Sequence, residues 1–156
     1  MAALSTGRSV EESYDVFLCH NSLDKAQVRE IMFRLRNRGF SAWLDLHDLI
    51  PGRAWLPGII DQIRRSRAGA ICVGNHGLGP VQTREIDLFL HEFRERGRPI
   101  IPVILSDAKG EPRLPESLRQ ETWVDFRVKE PDPIDRLIWG ITGKKTDRWA
   151  IYAKAY

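Results

Sequence analysis

A chain of 156 residues, 42% apolar and 29% charged, has material for one folded domain with a real core and too little for two. Its formal charge of +3 is a mild excess of 24 basic over 21 acidic residues. Basic runs such as Arg94-Glu95-Arg96 read as solvated helix faces with no aromatic stacking stripe, so direct nucleic-acid binding is not expected. No stretch approaches the roughly 20 apolar residues that span a bilayer, and Met1–Val10 lacks the apolar centre of a secretion signal. Cys19 and Cys72 sit in apolar runs without CxxC partners, which reads as two buried, reduced thiols. The expectation is a cytoplasmic protein with no membrane partner, no bound metal and no cofactor.

The pattern alternates strand and helix. Tyr14–His20 is a short apolar run and reads as a buried strand. Val28, Ile31, Met32 and Leu35 recur at helical spacing over 24–38, and Gly39 closes that helix. Phe40–Asp45 reads as the second strand, and 46–53, with Pro51-Gly52, as an ordered turn. Leu56, Ile59, Ile60 and Ile63 mark a second helix, and 68–74 a third strand. Ile86, Phe89, Leu90 and Phe93 mark a third helix, stopped by Gly97 and Pro99. Ile100–Leu105 reads as a fourth strand despite Pro102, a residue that favours edges because it cannot donate to a ladder. The polar segment 106–115 is a loop, Thr122–Phe126 a fifth strand and Pro133–Gly143 a final helix.

Such alternation implies right-handed crossovers and a parallel sheet covered on both faces. Five strands in so short a chain suggest a flavodoxin-like α/β fold, strand order 2-1-3-4-5. Residues 1–13 read as a flexible arm and 14–143 as the domain. Residues 144–156, with Trp149, Tyr152 and Tyr156, read as an extension or linker stub.

In a parallel sheet the strands end at one edge, where ligands bind. The loop after the first strand supplies His20, Asn21, Ser22 and Asp24. The second supplies Asp45, His47 and Asp48, and the third a glycine-rich loop with Gly74 and Gly77, leading to Glu85. Each has a plain alternative. His20 also reads as a strand-end residue, Ser22 and Asp24 as caps of the first helix, Asp45 as a turn cap. The glycine-rich loop also reads as a simple turn; GxxxxGK[ST] is absent. Glu85, placed by the pattern in the first turn of its helix, also reads as an acid complementing the helix dipole, which favours its ionised form.

Taken in order, these residues resemble a family. Tyr14-Asp15-Val16-Phe17-Leu18-Cys19-His20 resembles the first box of Toll/interleukin-1 receptor (TIR) domains. Trp43-Leu44-Asp45 followed by Leu49-Ile50-Pro51-Gly52 resembles their second strand and BB loop. Gly77-Leu78-Gly79-Pro80 leading to Glu85, and 136–141, resemble the third region and last helix of bacterial members.

The resemblance implies the flavodoxin-like fold and, in the bacterial NAD-cleaving branch, hydrolysis of NAD+ to nicotinamide and ADP-ribose or a cyclic isomer. NAD+ is then substrate, not cofactor. Glu85 matches the catalytic glutamate, and His20, Asn21, Ser22, Asp45, Gly74, Gly77 and Trp55 are the candidate substrate-binding set. Trp55 also reads as an anchor for the second helix. An ionised carboxylate suits this reaction, because nicotinamide leaves an already cationic ring and needs no proton, while the developing oxocarbenium needs a negative charge. The resemblance further implies homo-oligomeric TIR–TIR contacts through Leu49, Ile50, Pro51 and Gly52, activation by assembly, a fused or partner sensing module, and a role in antiphage defence. Bacterial relatives often carry a tryptophan four residues before the glutamate, whereas this chain has Val81. The competing reading is a non-catalytic TIR scaffold signalling through its BB loop. A nucleoside deoxyribosyltransferase-like enzyme fits the Pro-Gly turn and last helix less well.

Overall fold

A computed structural model describes residues 14–44, 51–78, 80–111 and 113–145; the side chains of 55 and 80–85 lie outside that description. Five strands form one sheet in the order β2-β1-β3-β4-β5, with every described pairing parallel. The strands are β1 (Tyr14–Cys19), β2 (Ala42–Trp43), β3 (Ser66–Val73), β4 (Ile100–Ile104) and β5 (Val124–Asp125). The helices are α1 (Lys25–Asn37), α2 (Trp55–Arg64), α3 (Pro80–Glu95) and α4 (Pro133–Thr142). The expected strand order and layering are therefore observed.

Successive side chains of a strand point to opposite faces, and each central strand here is apolar on both. Val16 and Leu18 of β1, Ala68, Ala70 and Cys72 of β3, and Ile101 and Val103 of β4 pack with Val28, Ile31 and Leu35 of α1 and Ile134, Leu137, Ile138 and Ile141 of α4. The alternate residues Phe17, Cys19, Ile71, Val73, Ile100 and Ile104 pack with Ile59 and Ile63 of α2 and Ile86, Phe89, Leu90 and Phe93 of α3. Gly69 is small because the Phe89 ring lies against the strand there; a Cβ at that position falls 2.5 Å from Phe89 Cζ. Cys19 and Cys72 are free and buried, as expected.

Pro102 sits inside the sheet, not at an edge, and the ladder direction explains why it is tolerated. Leu105 N–H donates to Val73 on β3, whereas Phe126 N–H donates to Ile104, whose backbone faces β5. Backbone groups alternate sides along a strand, so the nitrogen of Pro102 faces the β5 side. The described register with β5 begins only at Val103↔Val124, so no described ladder bond is lost.

Both sheet edges are shorter than their apolar runs suggest. The second strand was expected over 40–45 and the fifth over 122–126, yet each ladder holds two residues. An edge strand has a partner on one side only, and these two separate from β1 and β4 early.

Candidate functional site

The C-terminal ends of β1, β3 and β4 bring three described loops together. Asn21, buried after β1, receives Leu23 N–H on its Oδ1 at 3.1 Å and donates through Nδ2 to the Gly77 carbonyl at 3.5 Å, tying the first loop to the third. His20 is half-buried and donates through Nδ1 to the Leu18 carbonyl at 2.8 Å, since a carbonyl only accepts. Gly77 N–H donates to the Gly74 carbonyl at 3.1 Å, closing a tight loop whose φ of 66° at Gly77 suits glycine.

Asp107, in the loop after β4, accepts Asn75 N–H on Oδ1 at 3.1 Å. It faces Asp24 across Gly74. A Cβ on Gly74 falls 2.7 Å from Asp107 Oδ1 and 3.1 Å from Asp24 Oδ1. Asp24 is 1% exposed, and among the described residues neither of its carboxylate oxygens has a hydrogen-bond partner. Burial pushes its carboxyl above the usual aspartate range and the Asp107 charge adds to that, while His76 and His20 oppose it. One oxygen of each acid and one His76 ring nitrogen lie within 4.8 Å of one another. Beside this cluster a cavity of about 250 Å³ opens between the Gly74–Gly77 loop and a wall carrying Lys109, Glu111 and Arg113.

The capping expectation changes in detail. Asp24 occupies the N-cap position of α1 but makes no capping bond, and Ser22 is exposed; the side chain that caps is Asn21, over the short 3-10 turn Ser22–Asp24. Glu85 moves too. The helix begins at Pro80, so Glu85 lies in its second turn, where the dipole has already weakened. Proline at the first helical position was the available signal.

A model of the TIR domain matches residues 16–138, most of the chain. The chain belongs to the TIR domain family. A search of curated proteins gave no match. Among solved structures it is similar to the TIR domain of the Toll-related receptor TRR-2 from Hydra magnipapillata, at 21% identity and a TM-score of 0.65, over 83% of this chain and 98% of that one. It is also similar to a metazoan TIR-STING receptor from C. gigas, at 20% identity and a TM-score of 0.63, over 92% of this chain and 44% of that one. The TIR domains of the activated Roq1 resistosome follow at 22% identity and a TM-score of 0.51, over 59% and 57%. The chain thus spans nearly all of the Hydra domain and under half of the C. gigas receptor chain.

Against this TIR frame the expected site residues separate. Gly74 and Gly77 line the cavity, and Asn21 bonds to the loop that forms it, with His20 one residue earlier. Trp55 opens α2 and Glu85 lies on α3; their side chains, and all of Asp45, His47, Asp48, Leu49 and Ile50, fall outside the described residues. Pro51 and Gly52 form an exposed turn with Gly52 at φ 83°, a conformation other residues resist. Missed in the sequence were Asp107, Lys109 and Arg113. They belong to the polar loop after β4, where no apolar pattern or motif marks them in the sequence. Among the described residues no helix is long and apolar enough to cross a membrane.

Proposed function

We propose that this TIR domain cleaves NAD+ at the nicotinamide–ribose bond, in assemblies built through the BB loop, as part of antiphage defence. The observation that carries the reading is the TIR family match over 16–138 with Glu85 on the helix that follows the third strand. The C1′–N bond breaks and its electron pair passes to the pyridinium nitrogen, giving neutral nicotinamide. The Glu85 carboxylate stabilises the oxocarbenium left on the ribose. Water then adds and loses a proton, giving ADP-ribose; attack by a nitrogen of the adenine ring gives a cyclic isomer instead. His20, Asn21, Ser22, Asp45, Gly74, Gly77 and Trp55 form the proposed substrate surface. Leu49, Ile50, Pro51 and Gly52 form the contact to a neighbouring protomer.

The test is nicotinamide release from NAD+ by concentrated wild-type protein and by Glu85→Gln. Wild-type release rises more steeply than protein concentration, and the variant loses at least about 100-fold in rate, the scale of removing a group that stabilises transition-state charge. Equal rates in the two proteins remove Glu85 from the chemistry. A scaffold without turnover is the second reading, favoured by Val81 where bacterial relatives often carry tryptophan; it predicts self-association with no release from either protein.

A further inference from the structure

The geometry points to a divalent-cation site in which Asp24, His76 and Asp107 hold a first-row transition ion across Gly74. The inference is independent of NAD+ cleavage and rests on four observations. First, the donor atoms of the three side chains lie within 4.8 Å of one another. Ligands about 2.0–2.6 Å from a shared ion span up to about that distance. Second, Asp24 is buried to 99% by its 1% exposure, and among the described residues neither oxygen has a hydrogen-bond partner. A buried carboxylate in that state is costly unless something with positive charge or a proton reaches it.

Third, Asp24 Oδ1 and Asp107 Oδ1 face the same small space over Gly74, where a Cβ would meet both. Two carboxylates directed at one point repel unless a cation sits between them. Fourth, the space has an outlet. His76 is exposed, and with Gly74 it lines the cavity of about 250 Å³, which leaves room for water or a ligand oxygen on the open side of an ion. Two carboxylate oxygens and one imidazole nitrogen suit Mn2+, Fe2+ or Zn2+ better than Mg2+ or Ca2+, which prefer oxygen alone. The second carboxylate oxygens and the solvent side complete the coordination.

The three ligands come from the loops after β1, β3 and β4, so the site exists only once the sheet is formed. Binding therefore stabilises the native state by mass action.

The test uses the full chain freed of metal, with Mn2+ as the probe. Calorimetry and loss of the free-Mn2+ resonance give stoichiometry and affinity, and thermal unfolding gives the linked stabilisation. Wild-type protein binds one Mn2+, and its Tm rises by about 5–10 °C at a hundredfold excess over Kd. Asp107→Asn and His76→Ala, whose side chains are only partly covered or exposed, fold normally and bind at least about tenfold more weakly. Gly74→Ala loses binding because its methyl enters the space between the acids. Mg2+ binding as tight as Mn2+ overturns His76 as a ligand. No Mn2+ binding at millimolar concentration, or unchanged binding in Asp107→Asn, overturns the site.

Discussion

Two buried aspartates stand toward opposite ends of one strand, Asp15 next to its first residue and Asp24 past its last, and they live in opposite states. Asp15, at the start of β1, is 2% exposed and fully engaged. Its Oδ2 accepts Ser41 N–H at 2.8 Å and the Ser41 hydroxyl at 3.2 Å, and its Oδ1 accepts from Arg67 at 3.2 Å. Asp24, just past the other end, is equally buried, yet among the described residues neither of its oxygens has a partner. Buried charge of the first kind fastens β1 to the segment before β2 and to β3. An acid of the second kind has no hydrogen bond among the described residues to offset its burial, so it points to a ligand. The N-terminal edge of the sheet holds a buried acid that is satisfied, and the C-terminal edge one that, among the described residues, is not.

The comparison sharpens if other engaged acids behave like Asp15. Asp135, buried near the start of α4, accepts from Arg38 at 2.6 Å. Arg38→Ala is expected to cost about 1.5–3 kcal/mol, the range for a hydrogen bond to a charged group, measured by urea denaturation at neutral pH. A smaller loss means that the remaining surroundings of Asp135 suffice to hold it.

A weaker effect is expected at Asp125. Hydrogen bonding from the Arg127 side chain holds its carboxyl below the usual aspartate range, against the opposing pull of partial burial. A folded-state pKa lowered in this way contributes stability above the unfolded pKa and loses it as pH falls through the folded one. Asp125→Asn is therefore expected to shift the urea midpoint slightly at neutral pH, by less than Arg38→Ala, and not at all in strong acid. A difference that grows on acidification contradicts the pairing. Neither variant is expected to change Mn2+ binding, because neither Asp135 nor Asp125 belongs to the group formed by Asp24, His76 and Asp107.

Much of the fold was legible because its elements are long or strongly periodic. The runs 14–20, 68–74 and 100–105 are apolar without alternation, as strands covered on both faces must be. The short edges were not legible, because pairing on one side ends a ladder before hydrophobicity does. The site was legible only by its loops. Asn21, Gly74 and Gly77 stand out by position at strand ends, and a hydrogen bond and a bridge join them in space. Asp24 was in view but carried two readings, since a cap and a ligand present the same residue at the same place. Asp107 was hidden in a polar, glycine-containing loop, and His76 within a glycine-rich one. The cluster joins residues 24, 76 and 107, so no local spacing announces it; only the sheet brings them together.

The most direct measurement is urea denaturation of Asp15→Asn and Asp24→Asn side by side, in metal-free buffer at neutral pH. Asp15→Asn is predicted to lose about 2–4 kcal/mol, because its charged hydrogen bonds hold three segments together. Asp24→Asn is predicted to keep wild-type stability or gain about 1 kcal/mol, because it removes a buried charge that has no hydrogen-bond partner among the described residues. A loss at Asp24 as large as that at Asp15 contradicts the account, since it makes both acids part of the scaffold.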